Sequence, residues 1–499
     1  MRIQFLLYTL SVLAVVSAKK SNDNDKCWSK KFGIECCKHT KTVVRKTYDG
    51  PWGKENGKWC GIGKKSTRPK NDVPPPPPPL TDLSKIDDPA AVCDVTDAIT
   101  GESLAKAAPF RFGVGLNGGA IENSTTSSKT MREVIKHQFN SVTYSNLMKA
   151  VFVLNQEGSI KNLKKGKQDP VLDFSTFVDG LDFCQKNGIH MRGHVLVWHN
   201  QAPRWFFTKN YEEDGEYVDA KTMEYRLESY IKQYLSFVQF NYPGVVDVWD
   251  VVNEAIEVVD NQYDKSTGWY TRTLYGNNSP NMWYDIFGPD YVVKTFRIAR
   301  KYALPNVKLV YNDYSTFVTK PVSKRDAIIK LLGILKKEDL VDAIGMQSYI
   351  NPDEDINEYL AAVDEYQKTG LEIQITELTI RVKSTDDWEE YNIQQYSQLF
   401  EGLMKRVKKG YNIGSVTVFG LQDGYRFYEN DTQKFRLFDH DLKKKKVYHA
   451  IMKILKGESA TDSEDGEDVE DVVESDAEAV EADADAVDGE DSADDVKEL

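Results

Sequence analysis

The sequence predicts an α/β fold: a closed (β/α)8 barrel preceded by a small disulfide-stapled module. Three observations carry this reading. Eight short β-rich runs recur between residues 111 and 423 and alternate with segments of helical periodicity, the pattern of parallel βαβ units. No glycine-rich phosphate loop opens those helices, which counts against the alternative, a doubly wound open sheet. Four of the six Cys crowd into a short segment near the start, where a hydrophobic core alone is too small to hold a fold.

The parts follow in chain order. Residues 1–18, MRIQFLLYTLSVLAVVSA, join an early Arg, an apolar run and a small-residue end, the expectation for a secretory signal. Export would permit disulfides. Residues 21–64 form the small module, rich in Lys and Trp, with Cys27, Cys36, Cys37 and Cys60. Four cysteines allow three connectivities, and the adjacent Cys36 and Cys37 do not readily pair with each other. Residues 65–89 read as a linker whose proline run favours a semi-rigid polyproline II spacer. Residues 90–456 form the barrel. Within it Cys93 and Cys184 are either a pair or two free thiols.

Residues 457–499 carry 20 Asp or Glu, one Lys and no aromatic residue, so this tail is expected to be disordered. It accounts for the formal net charge of −13 and leaves the rest of the chain net positive. The barrel region shows no basic, aromatic-interleaved stripe, so nucleic acid is not an expected partner. No run after the signal is long and apolar enough to span a bilayer, so no membrane association is expected.

The eight runs are RFGVGL (111–116), FNSVTYS (139–145), HMRGHVLVW (190–198), VVDVWDVVNE (245–254), KLVYNDY (308–314), DAIGMQSY (342–349), EIQITELTI (372–380) and SVTVFGLQD (415–423). In such a barrel the active site lies where the C-terminal ends of the strands meet. Glu254 ends the fourth run and Glu377 lies in the seventh. A buried, unpaired carboxylate is costly, so two of them at one cleft point to chemistry that uses a carboxyl pair. Glycoside hydrolysis is that chemistry: one carboxyl donates a proton and needs a raised pKa, while the other must be ionised. Around them the strand ends carry His194, Trp198, His199, Gln201, Asn312, Asp313, Gln347 and Tyr349. Amides, imidazoles and aromatic faces suit sugar hydroxyls and C–H surfaces. No zinc-ligand spacing and no Ser nucleophile elbow is present, so no metal or cofactor is expected.

GHVLVWHNQAPRWF (193–206), VWDVVNEAI (248–256), LVYNDY (309–314), IGMQSY (344–349) and IQITELTI (373–380) resemble the strand ends of glycoside hydrolase family 10, the retaining endo-β-1,4-xylanases. The resemblance implies that Glu254 is the general acid/base and Glu377 the nucleophile. It places Asn253, His194, Trp198, Gln201 and Gln347 around the sugar at the cleavage point. Asn146 and Lys149 match a second sugar-binding stretch, but Ser145 and Ala150 stand where the family has Glu and Trp. Tyr349 stands in place of a His that contacts the nucleophile, and Phe419 and Phe427 in place of two roofing tryptophans. With Glu254 as acid/base, its pKa is expected to be raised and that of Glu377 to stay low. Their carboxyls are expected about 5–5.5 Å apart, as retention requires.

CWSKKFGIECCKHTKTVVRKTYDGPWGKENGKWCGI (27–62) resembles the dockerins of anaerobic fungi, relatives of small cellulose-binding modules. That resemblance implies two disulfides among Cys27, Cys36, Cys37 and Cys60. It also implies exposed or half-exposed Trp28, Trp52 and Trp59, with Trp52 docking onto a scaffold protein of a fungal cellulosome. The implied activity is retaining hydrolysis of xylan within a secreted, plant-wall-degrading multienzyme complex. The alternatives are a β-glycanase acting on glucan or decorated xylan, and a non-catalytic carbohydrate-binding barrel. A third alternative is a resident of the endoplasmic reticulum with a calcium-binding acidic tail, because Glu498-Leu499 match the end of a retrieval signal. Asn123, Asn277 and Asn430 sit in glycan-acceptor triplets.

Overall fold

The computed structural model describes residues 27–258, 263–275, 279–382, 387–424 and 434–458. The signal-like start, the acidic tail from residue 459 on, Phe427, Asn277 and Asn430 lie outside the described residues. The chain divides into two compact units between Pro69 and Lys70.

The first unit is a three-stranded antiparallel sheet of Arg45–Lys46, Pro51–Glu55 and Lys58–Gly61. Asn56 and Gly57 turn its second hairpin with φ of 51° and 76°, as a two-residue Asn-Gly loop must. Disulfides join Cys27 to Cys36 and Cys37 to Cys60. Trp52 is 0% exposed and its ring meets that of Trp28 edge-on at 4.6 Å. Its Nε1 donates to Thr47 Oγ1 at 2.9 Å. The expectation of a solvent-facing Trp52 is therefore corrected. In a sheet this small the largest ring must fill the core, which it shares with Phe32, Ile34 and Trp28. Trp59 does remain half-exposed, with Lys54 Nζ 4.5 Å above its ring. A buried pair between Arg68 Nε and Asp49 Oδ1, 2.7 Å apart, carries this unit beyond residue 64.

The second unit holds eight parallel strands: β1 (Arg111–Leu116), β2 (Ser141–Tyr144), β3 (His190–Gly193), β4 (Val246–Asn253), β5 (Lys308–Asp313), β6 (Ala343–Met346), β7 (Glu372–Ile380) and β8 (Ile413–Val418). Each pairs with the next, and β8 pairs with β1, which closes the barrel. The helices following the strands are α1 (Lys129–Gln138), α2 (Val178–Asn187), α3 (Ala220–Asn241), α4 (Tyr291–Tyr302), α5 (Lys324–Lys337), α6 (Ile356–Lys368), α7 (Trp388–Lys408) and α8 (Lys446–Lys456). Each sequence run overlaps the strand it predicts.

Alternation along β4 shows how sequence becomes site. Trp249 turns outward against Tyr234 of α3, ring centroids 4.9 Å apart. Gly193 on β3 leaves room for it, since a Cβ there would lie 2.4 Å from the indole. The neighbouring Asp250 is buried and pairs with Arg192 of β3. Parallel strands bring all C-terminal ends to one mouth, and Glu254 immediately follows β4 at that mouth.

The proline-rich stretch is not a free spacer. Asp72 pairs with Lys232 of α3 at 2.7 Å, and the Pro75 carbonyl accepts from Asn241 Nδ2 at 3.0 Å. Thr81 N donates to Asp179 of α2 at 3.0 Å. Asp88 accepts from Ser128 Oγ and from the Thr130 amide at the start of α1. Prolines, having no N–H of their own to satisfy, can lie along a helical surface at little cost. Cys93 and Cys184 are free thiols. Among the described residues no helix is long and apolar enough to cross a membrane.

Candidate active site

Glu254 is held by its side chain and its backbone. Its Oε1 accepts from Gln347 Nε2 at 2.8 Å and from Asn253 Nδ2 at 3.0 Å. Its Oε2 accepts from Trp198 Nε1 at 2.9 Å, with His199 Nε2 3.9 Å away. Its φ is +56°, a left-handed conformation that a side-chain-bearing residue adopts only under constraint. Its amide donates to the Asn312 carbonyl of β5 at 2.9 Å.

Glu377 is buried on β7. Its Oε2 accepts from Tyr349 Oη at 2.7 Å and its Oε1 from Asn312 Nδ2 at 3.1 Å. Amides tie the two acids together. Asn253 Oδ1 accepts from Asn312 Nδ2 at 2.9 Å and from Gln347 Nε2 at 3.2 Å.

The electrostatics of the open site reverse the expected ordering. Burial pushes Glu254 up, but His199, Arg272 and the bonds from Gln347 and Trp198 outweigh it and leave its pKa below the ordinary value. Burial drives His199 itself down to about 3. Burial pushes Glu377 up, and the charge of Glu254 adds to this against His194, Tyr349 and Asn312. The reason is the surroundings: cationic groups and three side-chain N–H donors face Glu254, whereas Glu377 faces the charge of Glu254 and receives one amide and one hydroxyl.

The remaining candidates line the same mouth. His194 Nδ1 donates to Asp250 Oδ2 at 2.9 Å, and Asp250 also accepts from Arg192 Nε at 2.8 Å. That fixes the imidazole with its proton on Nδ1. Lys149 Nζ donates to Gln201 Oε1 at 2.7 Å and to Asn146 Oδ1 at 3.2 Å, and lies 4.5 Å over the Trp198 ring. Burial lowers the Lys149 pKa to about 8 even though Glu377 and Glu254 oppose it. Phe419 meets Tyr349 edge-on at 6.2 Å. The structure thus gathers Asn146, Lys149, His194, Trp198, Gln201, Asn253, Gln347, Tyr349 and Phe419 with the two carboxylates, while Trp52 belongs to the other unit.

Sequence reasoning missed a buried ionic layer behind Glu254. Arg272 pairs with Glu257 at 2.6 Å and donates to Tyr314 Oη at 2.6 Å. Lys324 at the start of α5 pairs with Asp313 at 2.9 Å. Arg272 sits in TRTL, with no motif around it. Its signal is the antiparallel bridge of Ile256 with Thr271, visible only once the chain is folded.

The comparisons agree with this geometry. A family model described as glycosyl hydrolase family 10 matches residues 103–454, and one described as a cellulose or protein binding domain matches residues 26–62. Endo-1,4-beta-xylanase B of Butyrivibrio fibrisolvens is 36% identical over 352 residues, covering 69% of this chain and 52% of the relative. The chain therefore spans about half of that relative's length. A putative endo-1,4-beta-xylanase of Caldicellulosiruptor saccharolyticus is 39% identical over 319 residues, covering 61% of this chain and 96% of the relative. Among solved structures, the CBM22-1–GH10 modules of Clostridium thermocellum xylanase 10B, complexed with xylohexaose, superpose with a TM-score of 0.63. That pair is 32% identical, with 72% of this chain and 68% of the other covered. With its closed barrel, its two facing carboxylates and a match over most of its length, the chain belongs to glycosyl hydrolase family 10.

Proposed function

We propose that this protein is a retaining endo-β-1,4-xylanase, with Glu377 as nucleophile and Glu254 as general acid/base. The observation that carries the assignment is the amide bridge through Asn253, Asn312 and Gln347. It holds both carboxylates at one barrel mouth inside a family 10 fold. The similar proteins named as xylanases support xylan as the substrate.

With Glu254 held low and Glu377 high in the free enzyme, substrate binding has to bring the proton to Glu254 and leave Glu377 charged before the bond breaks. A sugar chain laid over Trp198 displaces water and offers Glu254 a leaving-group oxygen to protonate. Glu377, ionised, attacks the anomeric carbon as the glycosidic bond breaks and the proton moves from Glu254 to the leaving oxygen. The covalent ester removes the charge of Glu377; Glu254, now a carboxylate, then takes a proton from the incoming water as its oxygen bonds the anomeric carbon and the ester bond to Glu377 breaks, which restores both acids. Asn312 and Tyr349 hold the nucleophile by one oxygen each. Asn253 has its Oδ1 engaged by two amides and its Nδ2 turned toward Glu254, a placement suited to binding a hydroxyl beside the cleaved bond.

The small module is read as a fungal-type dockerin that attaches the enzyme to a scaffold protein. Its support is the sequence resemblance and the match to a cellulose or protein binding domain. With Trp28 and Trp52 in the core, Trp59 is the half-exposed indole available to a partner. The two disulfides and the signal-like start support secretion.

The test is a product profile on xylan, arabinoxylan, mixed-linkage glucan and cellulose. Short xylo-oligosaccharides of retained configuration, and their loss in Glu377→Gln, are expected. Faster cleavage of glucan than of xylan would overturn the substrate assignment, and inverted products would overturn the mechanism.

A further inference from the structure

Glu254 has a backbone problem that its side-chain contacts do not solve. Its left-handed φ of +56° must be maintained for the carboxylate to face the cleft. Two groups clamp the main chain there. Asn312 O of β5 accepts the Glu254 amide at 2.9 Å. On the other side Arg272 Nε donates to the Glu254 carbonyl at 3.0 Å. The Arg272 amide also donates to the Ala255 carbonyl at 2.7 Å, and Tyr311 Oη accepts the next amide, that of Ile256, at 3.0 Å.

Arg272 is itself fixed. Its guanidinium is buried and bonded to Glu257 Oε2 and Tyr314 Oη, and Tyr314 Oη donates back to Glu257 at 2.8 Å. Asn281 Nδ2 holds the Arg272 carbonyl at 2.9 Å. A planar guanidinium spends one edge on the Glu254 carbonyl and another on the Glu257–Tyr314 pair. A lysine, a point charge on a flexible stem, cannot hold both in fixed geometry.

We propose that Arg272 is a positioning residue for the proton donor: through the Glu254 main chain it aims the carboxyl at the leaving-group oxygen. The inference rests on Glu254 being the acid/base. Among the described residues the Arg272 side chain bonds to the Glu254 carbonyl, Glu257 and Tyr314, while the Glu377 carboxyl accepts from Asn312 and Tyr349, so its effect should appear only where protonation of the leaving group matters. A misplacement of about 1 Å at a reacting group can cost roughly 100-fold in rate.

The experiment compares Arg272→Lys and Arg272→Gln with the parent enzyme on two aryl xylobiosides. One carries phenol, which leaves only when protonated; the other carries 2,4-dinitrophenol, which leaves without help. Thermal unfolding is measured in parallel. The expected result is a fall of roughly 100-fold in kcat/KM on the phenyl substrate, with the dinitrophenyl substrate nearly unaffected. Tyr314→Phe, which frees one side of the guanidinium and leaves the ring, should show the same selectivity at smaller size even if the Arg272 variants fold poorly. An equal loss on both substrates, or no loss on either, overturns the proposal. Glu254→Ala in the same assay separates the premises. If it loses no more on phenyl than on dinitrophenyl xylobioside, the acid/base assignment fails; if it does and the Arg272 variants do not, only the positioning role fails.

Discussion

Replacing Tyr349 by Phe removes one hydroxyl and leaves the ring that meets Phe419 at 6.2 Å. The lost bond is the 2.7 Å donation to Glu377 Oε2, inside the barrel mouth. A hydrogen bond to a buried charged group contributes about 1.5–3 kcal/mol, and 1.36 kcal/mol corresponds to one pKa unit. Part of that bond survives toward the protonated acid, so the Glu377 pKa should rise by about one to two units. Burial already holds it above its ordinary value. The nucleophile must be ionised to attack, so activity appears as pH rises through this pKa. The acid limb of kcat/KM should therefore move toward neutrality in Tyr349→Phe. The assay is the pH profile on an aryl xylobioside with a good leaving group, so that proton donation by Glu254 does not shape the curve. An acid limb that stays put, in a variant of unchanged thermal stability, refutes the reasoning.

Three further outcomes are expected. Glu254→Ala should give a pre-steady-state burst on an activated aryl xylobioside, followed by slow turnover that azide accelerates; no burst and no azide effect would remove Glu254 from its role. Trp52→Ala should cost the small module about 3–5 kcal/mol, enough to unfold it while xylan turnover by the barrel persists, and calorimetry of the intact chain would show whether its transition disappears. Asp250→Asn leaves the buried Arg192 without its counter-charge and should cost about 3–5 kcal/mol, which urea unfolding would detect; a loss below about 1 kcal/mol would show that the barrel interior tolerates that charge unpaired.

Much of the site was legible because its chemistry lies at strand ends. Glu254 ends one apolar run and Glu377 lies near the end of another, and apolar runs betray strands in a parallel sheet. The substitutions Ser145, Ala150 and Tyr349 were legible too, because they sit inside otherwise matching stretches. Less was legible where side chains are fixed by contacts distant in sequence. The resemblance to fungal dockerins makes Trp52 a docking residue, but a sheet with two disulfides and so few large side chains has to bury it. The proline run reads as a semi-rigid spacer from composition, yet ion pairs and hydrogen bonds from α1, α2 and α3 hold its segment on the barrel. The ordering of the two carboxyl pKa values came out opposite to expectation, because it depends on which charges and donors surround each carboxyl.

By itself, then, the sequence determined the barrel, the order of its strands and the two acids at its mouth. Hydrophobic periodicity and strand polarity are local properties that survive in one dimension. The tertiary structure alone decided the ionic layer and the main-chain clamp at Glu254, and the bonds that each acid receives. Arg272 reaches Glu254 only because residues 255–257 pair back on 270–272. Tyr349 reaches Glu377 because the short strand Tyr349–Ile350, just after β6, pairs with β7. Such contacts fall off within a few ångströms, so they exist only when closure of the barrel has brought distant segments together.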